Sequence, residues 1–273
     1  EEKLNISKDN ISKKEFRELC LKESREVEKV YSNKFFKTLG HSYDWSLLYT
    51  TIDKESQKIS QTSFIELYKK KLLYRAEEPT IWCTKHQTAL AQAEVEDISR
   101  TTLLNYIEFE VNKEKILIAT TRPEFLSACV AVFVNEKDKR YSKLIGKKAK
   151  VPILNTLVPI MKDAKVDPNF GTGIVMVCTW GDTVDIEWWK KHKLPLKAIL
   201  TKDGKLINSK EYNNLTLEGA RKKILEDLKN LNLLKKQESL EQNVGSCWRC
   251  SNPIEFIITK QFFIKNLDYK KEL

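Results

Sequence analysis

The 273 residues carry 48 lysines and arginines against 38 aspartates and glutamates, a formal net charge of +10, with 41% hydrophobic residues. That apolar share suffices for a core over one large or two small domains, which excludes disorder along the whole length. No apolar run approaches the ~20 residues of a spanning helix, and residues 1–5 are charged where an export signal is apolar, so the expectation is a cytoplasmic protein with no membrane partner. The surplus of positive charge favours a polyanion, because basic surfaces gain affinity by releasing counterions from phosphates. A lysine-rich solubilising surface is the competing explanation.

Ser12 and Glu15 have the spacing of a capping box, and Phe16, Leu19, Cys20, Val27, Val30 and Tyr31 follow at helical spacing. This predicts an amphipathic helix over 12–38. A second helix is expected over 57–73, with Phe64, Leu67, Tyr68 and Leu72 apolar and the Lys69-Lys70-Lys71 run solvated. On this pattern the first 80 or so residues are helical. After Leu103 the period changes: Ile107, Phe109 and Val111 alternate with Glu108 and Glu110, which predicts a half-buried strand. A turn over 112–114 and a partner strand over 115–119 follow. Short β-branched runs at 130–134, 150–154, 157–161 and 174–178 predict a compact mixed or closed sheet. A helix is expected from about Asp185 to before Pro195, and another over 217–233 with Leu217, Ala220, Ile224, Leu228 and Leu231 on one face.

The six cysteines are too few for a disulfide framework in a chain this long, so reduced thiols or metal ligands are expected. Cys83-x-x-His86 and Cys247-x-x-Cys250 each allow one tight turn to present two ligands, and together they complete a closed tetrahedral zinc site. Gly245 and Trp248 suit such a turn. The long gap between the pairs makes sense if the β-rich stretch is inserted between two halves of one metal module. With all four positions filled, the metal would be structural.

Gly171-Thr172-Gly173 precedes a strand but lacks a following lysine, so it is a weak phosphate-loop signal. Asp182 and Asp185 lie three apart at the start of the expected helix, a spacing that favours a nearby cation and equally suits an acidic N-cap. Thr120-Thr121-Arg122-Pro123-Glu124 ends another strand.

Taken together, residues 119–132, from Ala119-Thr120-Thr121-Arg122-Pro123-Glu124 onward, resemble the signature of the valyl-tRNA synthetase editing domain, as do residues 171–185. Weaker similarity extends to 40–46, 88–96 and 242–250, covering roughly 35–265 in the right order, with the archaeal-type branch the better match. The resemblance implies an α+β fold: a β-rich, barrel-like editing domain (99–240) inserted in a zinc-knuckle stalk (83–98 and 241–256). Residues 1–82 would be a helical flank from the synthetase catalytic domain, and 257–273 the return toward it. The ATP-site signatures His-x-Gly-His and Lys-Met-Ser-Lys-Ser are absent from the 273 residues, so no ATP site and no amino-acid activation are expected.

In this family such a domain hydrolyses the ester of wrongly charged tRNA. A pocket for valine rejects threonine poorly, the known case for a second, more polar pocket. By similarity Asp185 would hold the substrate α-amino group. Thr120, Thr121 and Arg122 would cradle the terminal adenosine and the ester, with Arg122 able to pair with phosphate. Gly171, Thr172 and Gly173 would form the opposite wall, where missing Cβ atoms admit the ribose, and Asp182 would support the pocket. Met176, Cys178, Phe125 and Gly181 depart from the bacterial pattern of Lys, Thr, Thr and His, which leaves Thr179 or Cys178 for the threonine hydroxyl. Cys129 and Cys178 lack a nearby histidine in sequence, so attack by water, helped by the vicinal ribose hydroxyl, is the expected chemistry. The implied partners are the acceptor end of tRNA(Val), threonine as the mischarged residue, and the rest of the synthetase. Two alternatives stand beside this one: an isoleucyl- or leucyl-type editing domain, and a non-catalytic zinc-containing RNA-binding module.

Overall fold

The computed structural model describes residues 2–7 and 10–271. The chain divides into two compact units, Glu1–Arg75 with Phe262–Leu273, and Ala76–Gln261.

In the first unit, helix α1 (Lys13–Lys29) starts where Ser12 Oγ accepts from the Glu15 N–H at 3.2 Å, as the sequence predicts, and passes into a π-helical turn, Val30–Phe36. Helix α2 (Lys54–Lys69) starts three residues ahead of the expected 57, because Asp53 caps it by accepting from the Ser56 N–H at 2.6 Å. It stops short of the expected 73: Lys71 takes a left-handed φ of 59°, which helix cannot continue through.

In chain order the strands are β1 (Leu73–Cys83), β2 (Thr88–Ala89), β3 (Val95–Val111), β4 (Glu114–Thr120), β5 (Cys129–Val134), β6 (Lys148–Lys150), β7 (Leu157–Lys162), β8 (Ile174–Cys178), β9 (Leu234–Cys247) and β10 (Glu255–Ile264). The expectation of helix to residue 80 is therefore corrected at Leu73, where the chain enters a three-stranded sheet of order β10-β1-β2. The expected strand at 150–154 is also corrected. Only Lys148–Lys150 pairs, since Ile153 has a left-handed φ of 64° and the Val151 N–H closes a turn onto the Thr156 carbonyl at 2.8 Å.

The second unit is built on a seven-stranded sheet of order β4-β3-β6-β7-β5-β8, with β9 running along β3. The β5–β7 pair is parallel and the others are antiparallel. The sheet curls until its ends meet: a Cβ added to Gly171, just ahead of β8, would lie 2.7 Å from Ala119 Cβ on β4. This is a mixed α+β fold with a half-barrel sheet. Strand β5 is buried on both faces, which is why it is a continuous apolar run rather than an alternating one. Cys129, Val132 and Val134 join Ile107, Phe109, Ile118 and Phe125 inside the curl, closed by Ala220, Ile224 and Leu228 of helix α4 (Leu217–Asn230). Helix α4 ends before Leu231, which is exposed rather than on the buried face as expected. Val130, Ala131 and Phe133 face outward onto Trp188 of helix α3 (Thr183–His192), which begins two residues ahead of Asp185.

Candidate functional site

Antiparallel pairing sets Cys129 against Cys178, so the end of β8 lies beside the turn that follows β4. At the β4 end, Asn105 Nδ2 donates to the Thr120 carbonyl at 3.1 Å, and Thr120 Oγ1 accepts from the Arg122 N–H at 3.1 Å. Pro123 then opens a 3-10 turn over Pro123–Ala128. The two segments are tied three times. Thr179 N–H donates to the Ala128 carbonyl (3.0 Å), Cys178 Sγ to the Phe125 carbonyl (3.3 Å), and Arg122 Nη1 to the Gly181 carbonyl (3.0 Å).

Between β8 and α3 the chain turns sharply, and buried Trp180 takes a φ of 75°, a strained value for an aromatic residue. Asp182 caps α3, its Oδ1 accepting from the Asp185 N–H at 2.7 Å, and is itself exposed. Asp185 points inward and is 6% exposed, with Oδ2 accepting from the Gly181 N–H at 3.0 Å. A Cβ on Gly181 would stand 2.6 Å from that oxygen, so the glycine is required by the carboxylate and not by its own φ. Burial pushes the Asp185 carboxyl well above the usual range and Asp182 adds to this, while the Gly181 amide and the Arg122 charge pull it back. Among the described residues, no lysine, arginine or histidine forms an ion pair with Asp185.

Arg122 is committed within the fold. Its Nη2 donates to both carboxylate oxygens of Glu255 at 2.8 Å, its Nε to Glu124 at 3.2 Å, and the guanidinium lies 4.0 Å over the Phe125 ring. Burial disfavours the charge, but the two carboxylates outweigh it and raise the arginine's pKa. Arg221 on α4 completes the group with bonds of 2.9 and 2.6 Å to Glu124. Glu124 and Glu255 were not singled out as a pair by the sequence. The available signal was a lone acid inside the apolar run Ile254-Glu255-Phe256-Ile257-Ile258, a pattern that calls for a buried partner.

The other expected site residues are distributed less simply. Thr121 is half-buried, and its hydroxyl has no hydrogen-bond partner among the described residues. Thr179 Oγ1 lies between the Pro195 carbonyl and the Lys197 N–H, both at 3.3 Å, and Cys178 is 3% exposed, so both side chains are taken up by packing. Burial raises the thiols of Cys129, to about 12, and of Cys178, so neither is an activated nucleophile. Gly171 and Gly173 both have left-handed φ. The space their missing Cβ atoms leave is filled by Ala119 and by Arg140 with the Pro168 carbonyl, not left open as a wall. Thr172 contributes its carbonyl to the Tyr141 hydroxyl at 2.7 Å.

Cys83, His86, Cys247 and Cys250 come together with their ligand atoms all within 4.8 Å of one another. Cys83 Sγ lies 3.5 Å from His86 Nδ1 and 3.7 Å from Cys250 Sγ, and Cys247 Sγ lies 3.9 Å from His86 Nδ1. A tetrahedral zinc with the usual bond lengths needs ligand separations of about 3.5–3.8 Å. The donor set fits that ion.

The profile of the class I tRNA synthetases of the I, L, M and V group matches residues 1–273, and the chain belongs to that family. Valine–tRNA ligases from Methanocaldococcus jannaschii and Methanothrix thermoacetophila are 46% and 42% identical to it over 97% of its length. The ligase of Rickettsia typhi is 44% identical over 100%. The match covers 30%, 31% and 34% of those three proteins, so the chain spans about a third of the length of its curated relatives. Among solved structures, a LeuRS–tRNA–LeuAMS ternary complex from Agrobacterium radiobacter K84 aligns over 75% of this chain and 34% of that one, with 17% identity and a TM-score of 0.39. That likeness is too loose to carry an argument.

Proposed function

We propose that this chain is the editing portion of a valyl-tRNA synthetase and hydrolyses the ester of threonyl-tRNA(Val). The observation that carries the reading is Asp185, a buried carboxylate that forms no ion pair among the described residues; the hydroxyls of Thr121 and of buried Thr172 likewise make no internal hydrogen bond among those residues. An unpaired buried carboxylate costs free energy that a ligand ammonium recovers. An aminoacyl ester brings one in its α-amino group. Arg122 spends four of its five N–H donors within the fold, so its task in this scheme is to hold the Gly181 carbonyl and the strand end in register. With both nearby thiols neutral, water is the nucleophile, oriented by the strand-end groups and the substrate's vicinal hydroxyl. The high identity to valine–tRNA ligases supports valine as the amino acid being protected and threonine as the error being removed.

Cys83, His86, Cys247 and Cys250 would hold zinc as a closed four-ligand site. The ion would supply folding free energy rather than a reactive water.

Single-turnover hydrolysis of threonyl-tRNA(Val) tests the reading. The parent chain should deacylate it, and Asp185→Ala should be slower by roughly ten- to 150-fold, the worth of one charge-assisted hydrogen bond, before lost orientation is added. Equal rates would remove Asp185 from the site. A second reading, an RNA-binding module without catalysis, is favoured by the net charge of +10 together with the cysteine–histidine cluster. It predicts tRNA binding by the parent chain with no hydrolysis.

A further inference from the structure

We infer that Glu255 is a positioning residue, which fixes Arg122 and through it the Gly181–Asp185 turn, so that the cysteine–histidine turn and the candidate ester site are held as one rigid piece. This rests on the editing reading only for the identity of the reaction, not for the geometry.

The argument begins with where Glu255 is anchored. It opens β10 five residues after Cys250. The intervening turn is pinned by the Cys247 N–H on the Asn252 carbonyl (2.8 Å), the Ser251 N–H on the Cys247 carbonyl (2.7 Å) and the Ile254 N–H on the Gly245 carbonyl (3.0 Å). The carboxylate is therefore placed by the cluster turn and not by the half-barrel. It is 3% exposed, and burial raises its pKa, which the Arg122 charge opposes. Its two bonds to a single guanidinium nitrogen, both 2.8 Å, leave Nη1 free to reach the Gly181 carbonyl and Nε to reach Glu124.

Charge balance explains why all four groups are present. Two carboxylates, Glu124 and Glu255, face two guanidiniums, Arg122 and Arg221, and removing any one leaves a buried charge unmatched. The members differ in what they touch. Among the described residues, the Arg221 side chain bonds only Glu124 and is 42% exposed, whereas the Glu255 side chain bonds only Arg122. Losing Arg221 should loosen α4, while losing Glu255 should release Arg122, the side chain that bridges the β4 end to the Gly181 turn. Since Gly181 also donates to Asp185 Oδ2, that release reaches the buried acid in two bonds.

The test compares Glu255→Gln with Arg221→Gln in the whole chain. Three quantities are read: single-turnover hydrolysis of threonyl-tRNA(Val) at saturating protein, the dissociation constant for that tRNA, and the Arg122 Nε–H and Gly181 amide resonances in ¹⁵N spectra. Glu255→Gln should slow hydrolysis at least tenfold with a change in affinity under about threefold, and should shift both resonances. Arg221→Gln should lower the melting temperature yet leave both resonances in place and change the rate less than about threefold. If Glu255→Gln does not fold, Glu255→Asp, which keeps the charge but withdraws it by one methylene, is read in the same way. A Glu255→Gln protein that melts lower while keeping parent resonances and parent rate would reduce the pair to glue and overturn the inference. Should the parent itself fail to hydrolyse the ester, the editing reading falls, and the resonances still decide the positioning role.

Discussion

Asp182 and Asp185 are three residues apart and chemically identical, yet the fold gives them opposite work. Asp182 is exposed and spends its carboxylate on capping α3. Asp185 is enclosed, and its ionised form is disfavoured by burial. A carboxyl whose folded pKa is raised binds its proton more tightly in the folded chain than in the unfolded one. The associated stability is present below the unfolded value of about 3.9 and is lost as pH rises through the raised folded pKa. At neutral pH the charge therefore costs stability. Asp185→Asn, which removes the charge and keeps an oxygen for the Gly181 N–H, should raise the melting temperature at pH 7 and have little effect near pH 3. A gain of about 1 kcal/mol would read as roughly 2–4 °C in a domain of this size. Asp182→Ala should shift it the other way through loss of the cap, worth about 1 kcal/mol. In hydrolysis the order reverses, with Asp185→Asn the slower variant. Parent activity should also rise with pH as Asp185 ionises, and that rise should vanish in Asp185→Asn. A variant that is both less stable and fully active would contradict the assignment of strain to this carboxylate.

At the level of elements, legibility followed burial. Strand β5, buried on both faces, and α4, with Ala220, Ile224 and Leu228 along one stripe, were readable because water-averse side chains impose a period. Strands β1, β9 and β10 were not. The sequence of β9, from Leu234-Lys235-Lys236-Gln237 to Cys247, shows no apolar alternation: it is mostly half-buried or exposed, with only Ser246 and Cys247 buried, and it is extended because its backbone pairs with β3 from Val95↔Cys247 to Ile107↔Leu234. Such a ladder is tertiary information absent from the local pattern. The site shows the same division. Spacing made the cysteine–histidine pairs visible and resemblance marked Asp185, but only the fold reveals that Arg122 is enclosed by Glu124 and Glu255, and that Gly171 accommodates Ala119. Under the proposed zinc reading, the cysteine cluster clamps one end of the long ribbon of β3 and β9. A two-stranded ribbon is marginal without further support, and Cys247 sits at one end of it, paired with Val95. Protein prepared without added metal should contain about one equivalent of zinc. Removing it with a strong chelator should lower the melting temperature and speed amide exchange first in residues 95–100 and 241–247, with β5 and β8 protected longest. Unchanged stability and exchange after the metal is gone would mean that the four ligands are not a structural clamp.

The two units differ in kind. The second, Ala76–Gln261, contains every buried cluster described above, whereas in Glu1–Arg75 with Phe262–Leu273 the only buried residue among those described is Leu73. No residue of helices α1 and α2 is buried, though Phe16, Leu19 and Leu67 are half-buried, and Tyr31, Phe35, Leu39, Leu47, Tyr49 and Ile59 are each more than half exposed. Helices of 17 and 16 residues have little stability of their own in water and normally depend on covering an apolar face. A cavity of about 590 Å³ lined by Leu4, Phe16, Leu19, Val27 and Ile52 is part of that uncovered surface. Relatives about three times as long have chain available to cover it, and the remainder of a synthetase is the natural occupant under the function proposed here. The consequence for this chain alone is a steep gradient of local stability. Hydrogen exchange should replace the amides of α1 and α2 at least a hundredfold faster than those of β5 and β8, and a dye that reports exposed apolar surface should bind. Limited proteolysis should then remove the first unit while the half-barrel survives with its curled sheet intact. If α1 and α2 were as protected as β5, their apolar faces would have to be satisfied within this chain, and the surface would no longer call for the rest of a longer protein.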